Sequence, residues 1–389
     1  MTTKVGVVGT GFAATSHIEA LHRLPQVQLV ALAGSSRAKA DAAAAGHGVE
    51  KAFGSFHELI HDDDIEVVHN CTPNFLHAKV NAAAMDAGKH ILSEKPLAMN
   101  SAETAALVQQ AEASDVVSGV CFNYRHYPMV RQAKAIIDSA DYGPVNLAHG
   151  SYLQDWLLYA DDWNWRLESD KAGSSRAIAD IGSHWLDLVQ YVTGQRVSEL
   201  CADLSTIHTS RLRPAEGSQT FASADSTGAE RVAVDTEDFG NVLLRFDNGA
   251  RGAMSISQVS PGRKNRLWFE IDTASVSVVW DQEEPNHLWL GRRDEANREL
   301  VRDPGLLEPE AARLAHFPAG HQEGWPDGLK NMFIDFYGAV DAFKGGDDYS
   351  SSFATFTDAH QVLSAVEAIV ASHQSRKWIK VTNGLEAEA

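Results

Sequence analysis

Cysteine is scarce in this 389-residue chain: Cys71, Cys121 and Cys201 are the three, widely spaced and with no C-x-x-C among them. That excludes a disulfide framework and fits a reducing compartment, so a cytoplasmic location is expected. Long apolar runs are missing too; none approaches the roughly 18 residues of a membrane span. The N-terminus offers one Lys before a glycine-broken segment, which reads as a first strand and not a secretion signal. Basic residues are the minority, 33 Lys+Arg against 52 Asp+Glu, for a formal net charge of −19. Such a field repels phosphate backbones and anionic lipid, so neither nucleic acid nor a membrane is an expected partner. A small anionic ligand stays allowed, because a helix N-terminus or one Arg overcomes a diffuse field locally. With 12 Pro, 44% hydrophobic and 22% charged residues, the composition is that of a globular chain. Its length predicts two domains.

What is present is alternation. Over residues 4–122, short β-branched runs (5–8, 27–33, 67–71, 90–93, 116–122) alternate with Ala-rich helical stretches (13–24, 38–45, 75–87, 102–114). That is the pattern of βα units wound on both faces of a parallel sheet. After about residue 125 the texture changes. A helix over 129–137 is followed by strand candidates at 145–153, 200–209, 236–246, 252–259, 267–272, 275–280 and 287–290, a succession that suits an antiparallel sheet. The stretch 211–230, rich in Ser, Ala, Gly and Thr, lacks periodicity and reads as a surface loop. Helices are predicted again over 329–343 and 353–372, and a short strand over 378–381.

The first strand runs into Gly9-Thr10-Gly11-Phe12-Ala13-Ala14, a G-x-G-x-x-A turn that opens a helix. Gly9 permits the tight turn, Gly11 lets a pyrophosphate approach the backbone, and small Ala14 lets helix and strand pack closely. The helix N-terminus then faces negative charge, so Gly9, Gly11, Phe12 and Ala13 are candidate dinucleotide contacts. At the end of the second strand, where an acidic residue would bind a ribose 2′-hydroxyl, stands Gly34. Ser35, Ser36 and Arg37 follow, supplying hydroxyls and a cation for a 2′-phosphate. NADP is therefore favoured, with NAD possible; the bland alternative is that Arg37 is a solvated charge at a helix start.

After the strand over 90–93 comes Glu94-Lys95-Pro96, at the C-terminal edge of the sheet, where open α/β sheets bind ligands. A lysine at that lip can exchange a proton with a substrate hydroxyl, and Pro96 would fix the turn that aims it. Taken in order, the glycine turn, Thr72-Pro73-Asn74-Phe75-Leu76-His77, Ala87-Gly88-Lys89-His90 and Glu94-Lys95-Pro96-Leu97-Ala98 resemble the Gfo/Idh/MocA family of oxidoreductases. The resemblance covers essentially the whole chain, most strongly the first 125 residues. It implies an α/β fold: an N-terminal Rossmann domain over 1–125, then over 126–389 an α+β domain with a large, mostly antiparallel sheet for substrate binding and oligomerisation. It also implies that Lys95 is catalytic and that Thr72, Pro73, Asn74, His77 and Glu94 lie along the cofactor.

Asp180, His184 and Asp187 stand at spacings of four and three, which put them on one side of a helix. An imidazole is suited to proton handling near neutrality, although a His beside an Asp is as often structural. A metal is not expected, since no third or fourth ligand follows from the spacing. The resemblance implies that Asp180 and His184 belong to the catalytic set, meeting Lys95 over the nicotinamide, with Asp187 a supporting partner. Asp161-Asp162-Trp163-Asn164-Trp165-Arg166 offers indole faces for sugar C–H surfaces and an Arg for hydroxyls, or else Trp residues that anchor a loop. Tyr124 is expected to point toward the crevice, and His321, in a polar loop before a helix, to contact substrate.

The sequence thus predicts an NAD(P)-dependent dehydrogenase or reductase acting on a sugar, sugar derivative or cyclitol, assembled as a homodimer or homotetramer. Two alternatives share the scaffold: a glycoside hydrolase that retains NAD and oxidises transiently, and a non-catalytic sugar or cofactor sensor.

Overall fold

The computed structural model describes residues 2–214, 229–382 and 384–385. In chain order its elements begin β1 (Thr3–Val8), α1 (Phe12–His22), β2 (Val27–Ala33), α2 (Arg37–His47), β3 (Lys51–Phe53), α3 (Phe56–Ile60), β4 (Val67–Asn70), α4 (Asn74–Asp86), β5 (His90–Ser93), α5 (Ser101–Glu112) and β6 (Ser118–Val120). They continue with α6 (Pro128–Ile137), β7 (Val145–Leu153), α7 (Ser169–Ala172), α8 (Ser183–Thr193), β8 (Val197–Ser205), β9 (Ser210–Arg213), β10 (Glu230–Ala233), β11 (Phe239–Phe246), β12 (Arg251–Ser257) and β13 (Arg266–Thr273). The last are β14 (Ser277–Asp281), β15 (His287–Gly291), β16 (Arg298–Val301), α9 (Pro309–Ala312), α10 (Trp325–Gly345), α11 (Phe356–Ser375) and β17 (Ile379–Lys380). Among the described residues no helix is long and apolar enough to cross a membrane.

The chain divides into two compact units, one holding the residues up to Asn123 together with Trp325–Gln361, the other Tyr124–Gly324 and the residues from Val362 to 382. The first unit is a six-stranded sheet of order β3-β2-β1-β4-β5-β6, parallel throughout. Helices cover both faces, so β4 and β5 are buried at every position instead of alternating. The order reverses between β1 and β4, which opens a crevice beyond the C-terminal ends of those strands. The expected division at residue 125 had placed the whole C-terminal stretch with the second domain. In the structure α10 lies in the first unit instead, where Leu329, Met332, Phe333, Phe336, Tyr337 and Val340 join Val5, Val7, Ile18, Leu21 and Leu32 in one core. Truncating one of these aromatics to alanine costs about 3–5 kcal/mol.

The second unit is built on a nine-stranded sheet of order β16-β15-β14-β13-β7-β12-β11-β8-β17. Burial alternates residue by residue along β13 and β11, as expected of a sheet with one covered and one open face. The sheet is mostly antiparallel, as expected, with β7 and β12 running parallel because the chain returns through α8 and β8 before β12 is laid down. The expected loop over 211–230 is also corrected at its ends: β9 and β10 pair as a two-stranded antiparallel ribbon, and residues 215–228 lie outside the described ones. The sequence missed β3, α3 and β16, each five residues or fewer, too short for a period to register.

Burial lowers the pKa of several histidines of the first unit. Burial, helped by the Lys344 ammonium and opposed by Glu66, takes His90 down to about 4, and its Nδ1 accepts the Val117 amide at 2.9 Å. Burial likewise lowers His69 and His77. A ring that stays neutral in the native state, while its unfolded counterpart takes up a proton, destabilises the fold as pH falls below the unfolded value of about 6.5. Tm is therefore expected to decline as the pH falls from about 6.5 toward 4. His90→Gln, which keeps an acceptor for the Val117 amide, should reduce that decline by about 2–4 °C. Thermal unfolding followed across this pH range checks it, and a variant slope equal to the parent's would contradict it.

Candidate active site

The glycine turn leaves β1 with Gly9 at a φ of +126°, where a Cβ would stand 2.4 Å from the Cys71 carbonyl oxygen. Only glycine fits there. At Gly11 a Cβ would meet nothing within 4 Å, so the space above the turn is open. Gly11 is also the N-cap of α1 and brings no side-chain hydrogen bond to it. Open space above Gly11 at a helix start with no side-chain cap, on the positive end of the helix dipole, fits a pyrophosphate. Phe12 is exposed at this rim, its ring 6.1 Å from that of Trp325, and Ala14 is buried against the strand.

At the end of β2, Ser35, Ser36 and Arg37 are exposed. Ser36 Oγ accepts the Lys39 amide and caps α2. Arg37 Nε donates to Asp41 at 2.9 Å, one turn along the helix.

The Thr72 and Lys95 turns are tied together from below. Asn70 Oδ1 accepts both the amide and the hydroxyl of Thr72, while its Nδ2 donates to Asn81 and to the His77 carbonyl. Asn81 donates in turn to Ser93 Oγ and the Leu97 carbonyl. The His77 ring, expected along the cofactor, is buried with its nitrogens directed at the carbonyls of Pro96 and Thr72. Its observed work is to strap the two turns. Pro73 and Asn74 start α4, with Pro73 as the N-cap.

Glu94 lies directly beyond β5. Its Oε1 accepts from His17 Nε2 at 3.0 Å and its Oε2 from the Lys95 amide at 3.1 Å. Burial works to raise this carboxyl, but the His17 hydrogen bond, the Lys95 charge and the Cys121 thiol take it down to about 2. It is a carboxylate at neutral pH. Lys95, partly buried, thus follows a fixed negative charge, and the Lys95–Pro96 bond is cis.

In the second unit, Asp180 sits in a π-helical turn over Ile178–Gly182 that leads into α8. Both its oxygens are held, Oδ1 by Arg166 Nε at 3.2 Å and Oδ2 by Gln258 Nε2 at 2.9 Å. Gln258 is held by Arg176, whose fully buried guanidinium also pairs with Asp238. His184 stands edge-on to Tyr124, ring centroids 5.1 Å apart. Its neighbour Trp185 anchors α8 to the sheet by donating to the Trp268 carbonyl at 3.0 Å. That approach needs Gly150, where a Cβ would stand 2.7 Å from the indole nitrogen. Asp187, on the other hand, is taken by Arg125 in a buried two-point ion pair.

Sequence reasoning missed four polar residues here. Tyr124 and Tyr152 share a hydrogen bond of 2.7 Å, and Asn265 bonds both hydroxyls and Gln154. Gln154 follows β7, Gln258 follows β12 and Asn265 precedes β13, so all three stand at one end of adjacent strands. Polar residues just past the ends of apolar strands were the available signal, but only the register reveals that these ends coincide. Burial pushes the Tyr124 hydroxyl up to about 12 against the pull of its hydrogen bonds, so it acts as a neutral hydrogen-bonding group and not as a base.

Of the two indoles, Trp163 packs in a small core with Leu157, Leu167 and Val234. Trp165 is partly exposed, with the Arg166 guanidinium 4.7 Å from its ring centre. His321 is exposed on a loop whose carbonyls, its own included, are bonded by buried Arg302. Among the described residues two trios bring ligand-type atoms within 4.8 Å of one another: His17, Glu94 and Cys121, and His149, Glu270 and Asp272. In the first, His17 and Glu94 already bond each other.

Comparison with known proteins agrees with this geometry. Residues 3–122 match the oxidoreductase family with an NAD-binding Rossmann fold of the Gfo/Idh/MocA group, and residues 130–277 match that group's C-terminal domain. Levoglucosan dehydrogenase of Pseudarthrobacter phenanthrenivorans is 32% identical over 392 residues, covering 97% of each chain. A solved levoglucosan dehydrogenase in complex with NADH and levoglucosan is 30% identical with a TM-score of 0.86, over 98% of this chain and 100% of that one. An oxidoreductase domain protein from Kribbella flavida is 30% identical with a TM-score of 0.86, over 98% and 99%. With both halves matched and a relative aligned along nearly its entire length, this chain belongs to the Gfo/Idh/MocA oxidoreductase family.

Proposed function

We propose that this protein is an NAD(P)-dependent dehydrogenase that oxidises a secondary alcohol of a sugar, sugar derivative or cyclitol, or reduces the corresponding ketone. The observation that carries the reading is the open, uncapped glycine turn and Lys95 at the C-terminal edge of the same parallel sheet. The named relatives support the substrate class, since levoglucosan is an anhydrosugar whose hydroxyls are all secondary. When bound, the nicotinamide supplies the acceptor for a hydride.

The chain's residues then divide the remaining work. Gly9, Gly11 and the amides of Phe12 and Ala13 hold the pyrophosphate, with Thr72, Pro73 and Asn74 along the cofactor and His77 bracing them. Lys95 takes the hydroxyl proton during oxidation and returns it during reduction, with the Glu94 carboxylate held against its turn. His184 and Asp180 orient the hydroxyl, and the double anchoring of Asp180 supports that role because a held carboxylate loses no freedom on binding substrate. Tyr124, Trp165, Arg166 and His321 contribute contacts, and Trp163 shapes the loop beneath them.

No carboxylate follows β2, which supports acceptance of NADP. Arg37 is committed to Asp41 only through an exposed one-turn pair, worth about 0.3–0.5 kcal/mol, so a 2′-phosphate can recruit it. A cytoplasmic location fits three free cysteines. Self-association through the open face of the large sheet fits the directly paired row Trp289, Val279, Glu270, His149, Ala253, Leu243 and Cys201. Its Leu243 is 54% and its Trp289 37% exposed.

Three measurements test the reading. Monosaccharides, anhydrosugars and inositols screened for reduced-nicotinamide absorbance should reveal a substrate, on which Lys95→Ala should lower kcat by about 10²–10⁴-fold with cofactor binding retained; near-normal turnover would overturn the role of Lys95. Arg37→Ala should lower kcat/KM with NADP about tenfold and leave that with NAD within about twofold; equal losses on both would remove the NADP inference. Leu243→Glu should shift the molar mass in solution toward the monomer, and an unchanged mass would contradict assembly through that face.

A further inference from the structure

Behind Glu94 runs a string of buried groups that the proposed chemistry does not use. His17 on α1 bonds Glu94 through Nε2 at 3.0 Å and His69 on β4 through Nδ1, the two Nδ1 atoms 2.9 Å apart. His69 Nε2 then meets the Tyr337 hydroxyl of α10 at 2.8 Å. His17, His69 and Tyr337 are each 0% exposed. Phe333 packs edge-on against both imidazoles, 4.9 Å from His17 and 4.8 Å from His69, and walls them from water.

The proton positions in this string follow from two conditions, the acceptor-only carboxylate of Glu94 and a neutral His17. A carboxylate only accepts, so His17 must carry its proton on Nε2. With His17 neutral, its Nδ1 accepts, which obliges His69 to donate from Nδ1 and to accept at Nε2; an imidazolium at His17 would reverse both of those bonds. Tyr337, protonated because burial raises its hydroxyl well above the usual range, supplies that last donor. Every bond points toward Glu94, and none of the three is left unmade. Reversing any one would set two lone pairs or two protons against each other in a buried site, at the cost of an unsatisfied polar group. The other titratable groups facing the string are Lys95, His77 and the thiols of Cys71 and Cys121, both thiols kept protonated by burial.

We propose that Tyr337, His69 and His17 are positioning residues, a hydrogen-bond string of single polarity that fixes the Glu94 carboxylate against the Lys95 turn and so sets the environment in which Lys95 exchanges its proton. This rests on the role given to Lys95 above. No net proton transfer along the string is involved; it selects one tautomer at each imidazole and one orientation of the carboxylate.

Two arms test it in the full-length chain. In protein labelled with 15N-histidine, with resonances assigned through His17→Gln and His69→Gln, His17 should be the Nε2–H tautomer and His69 the Nδ1–H tautomer at pH 7. Tyr337→Phe should shift the bare His69 Nε2 resonance by removing its donor. The opposite tautomers, or an imidazolium at either position, would overturn the string whatever Lys95 does. In the kinetic arm, Tyr337→Phe should lower kcat about tenfold with KM within about twofold, and should cost nothing further in a Glu94→Gln background. Losses that multiply in the double variant, or a Tyr337→Phe enzyme with the parent's kcat, would overturn the action through Glu94. Lys95→Ala at the parent's rate would instead remove the reading on which this rests while leaving the tautomers as described.

Discussion

A carboxylate buried at the edge of the parallel sheet is the constraint on which the first unit turns. An ionised group out of water is costly unless it is paired and hydrogen-bonded, and Glu94 meets both conditions within its immediate surroundings. Each partner comes from a different part of the sequence: His17 from α1, the amide of Lys95 from the next residue, and the Cys121 thiol from beyond β6. Meeting the charge therefore draws together the glycine-turn helix, the lysine turn and the last strand of the sheet. The N-terminus of α1 has no side-chain cap, so that one helix has open space above Gly11 at its start and a carboxylate bonded to His17 along its side.

The second unit repeats the device with another carboxylate. Asp180 is held on both oxygens, and the line of support continues through Gln258 and Arg176 to Asp238, which also receives Arg211 at 2.8 Å. Burial lowers Arg211 while its bond to Asp238 acts the other way. Such an array is justified less by net stability than by the single arrangement it permits, since replacing one member would leave its partner charged and unmatched. Tyr124, Tyr152 and Asn265 form a closed set in which each polar group answers another. Under the proposed function, groups that hold one another in this way would offer a substrate a fixed arrangement, the condition for favouring one hydroxyl over its neighbours.

Much of this was legible in the order of residues, and the reason is locality. The turn at Gly9, Gly11 and Ala14 spans six positions, the turn at Lys95 a tripeptide, and Asp180 and His184 stand four positions apart. Where the work depends on register or on distant segments, the sequence was silent. Nothing near Tyr337 indicates that α10 returns to the first unit to meet His69. Asp187, expected as a supporting partner, is held by Arg125 in a buried ion pair that no local spacing reports. Trp163 and Trp165 look equivalent in the sequence; only packing shows that the first is core. Parallel pairing of β7 with β12 depends on the path taken between them, which no period of two can report.

The central claim is that a hydride passes from a carbinol carbon to the nicotinamide and stays there, and the fate of that hydrogen tests it most directly. A sugar alcohol carrying deuterium on the oxidised carbon, turned over with the oxidised cofactor, should give reduced cofactor labelled at C4 in step with ketone formed. Deuterium retained in the sugar product, with no reduced cofactor accumulating, would contradict the account and point to transient oxidation in a hydrolase.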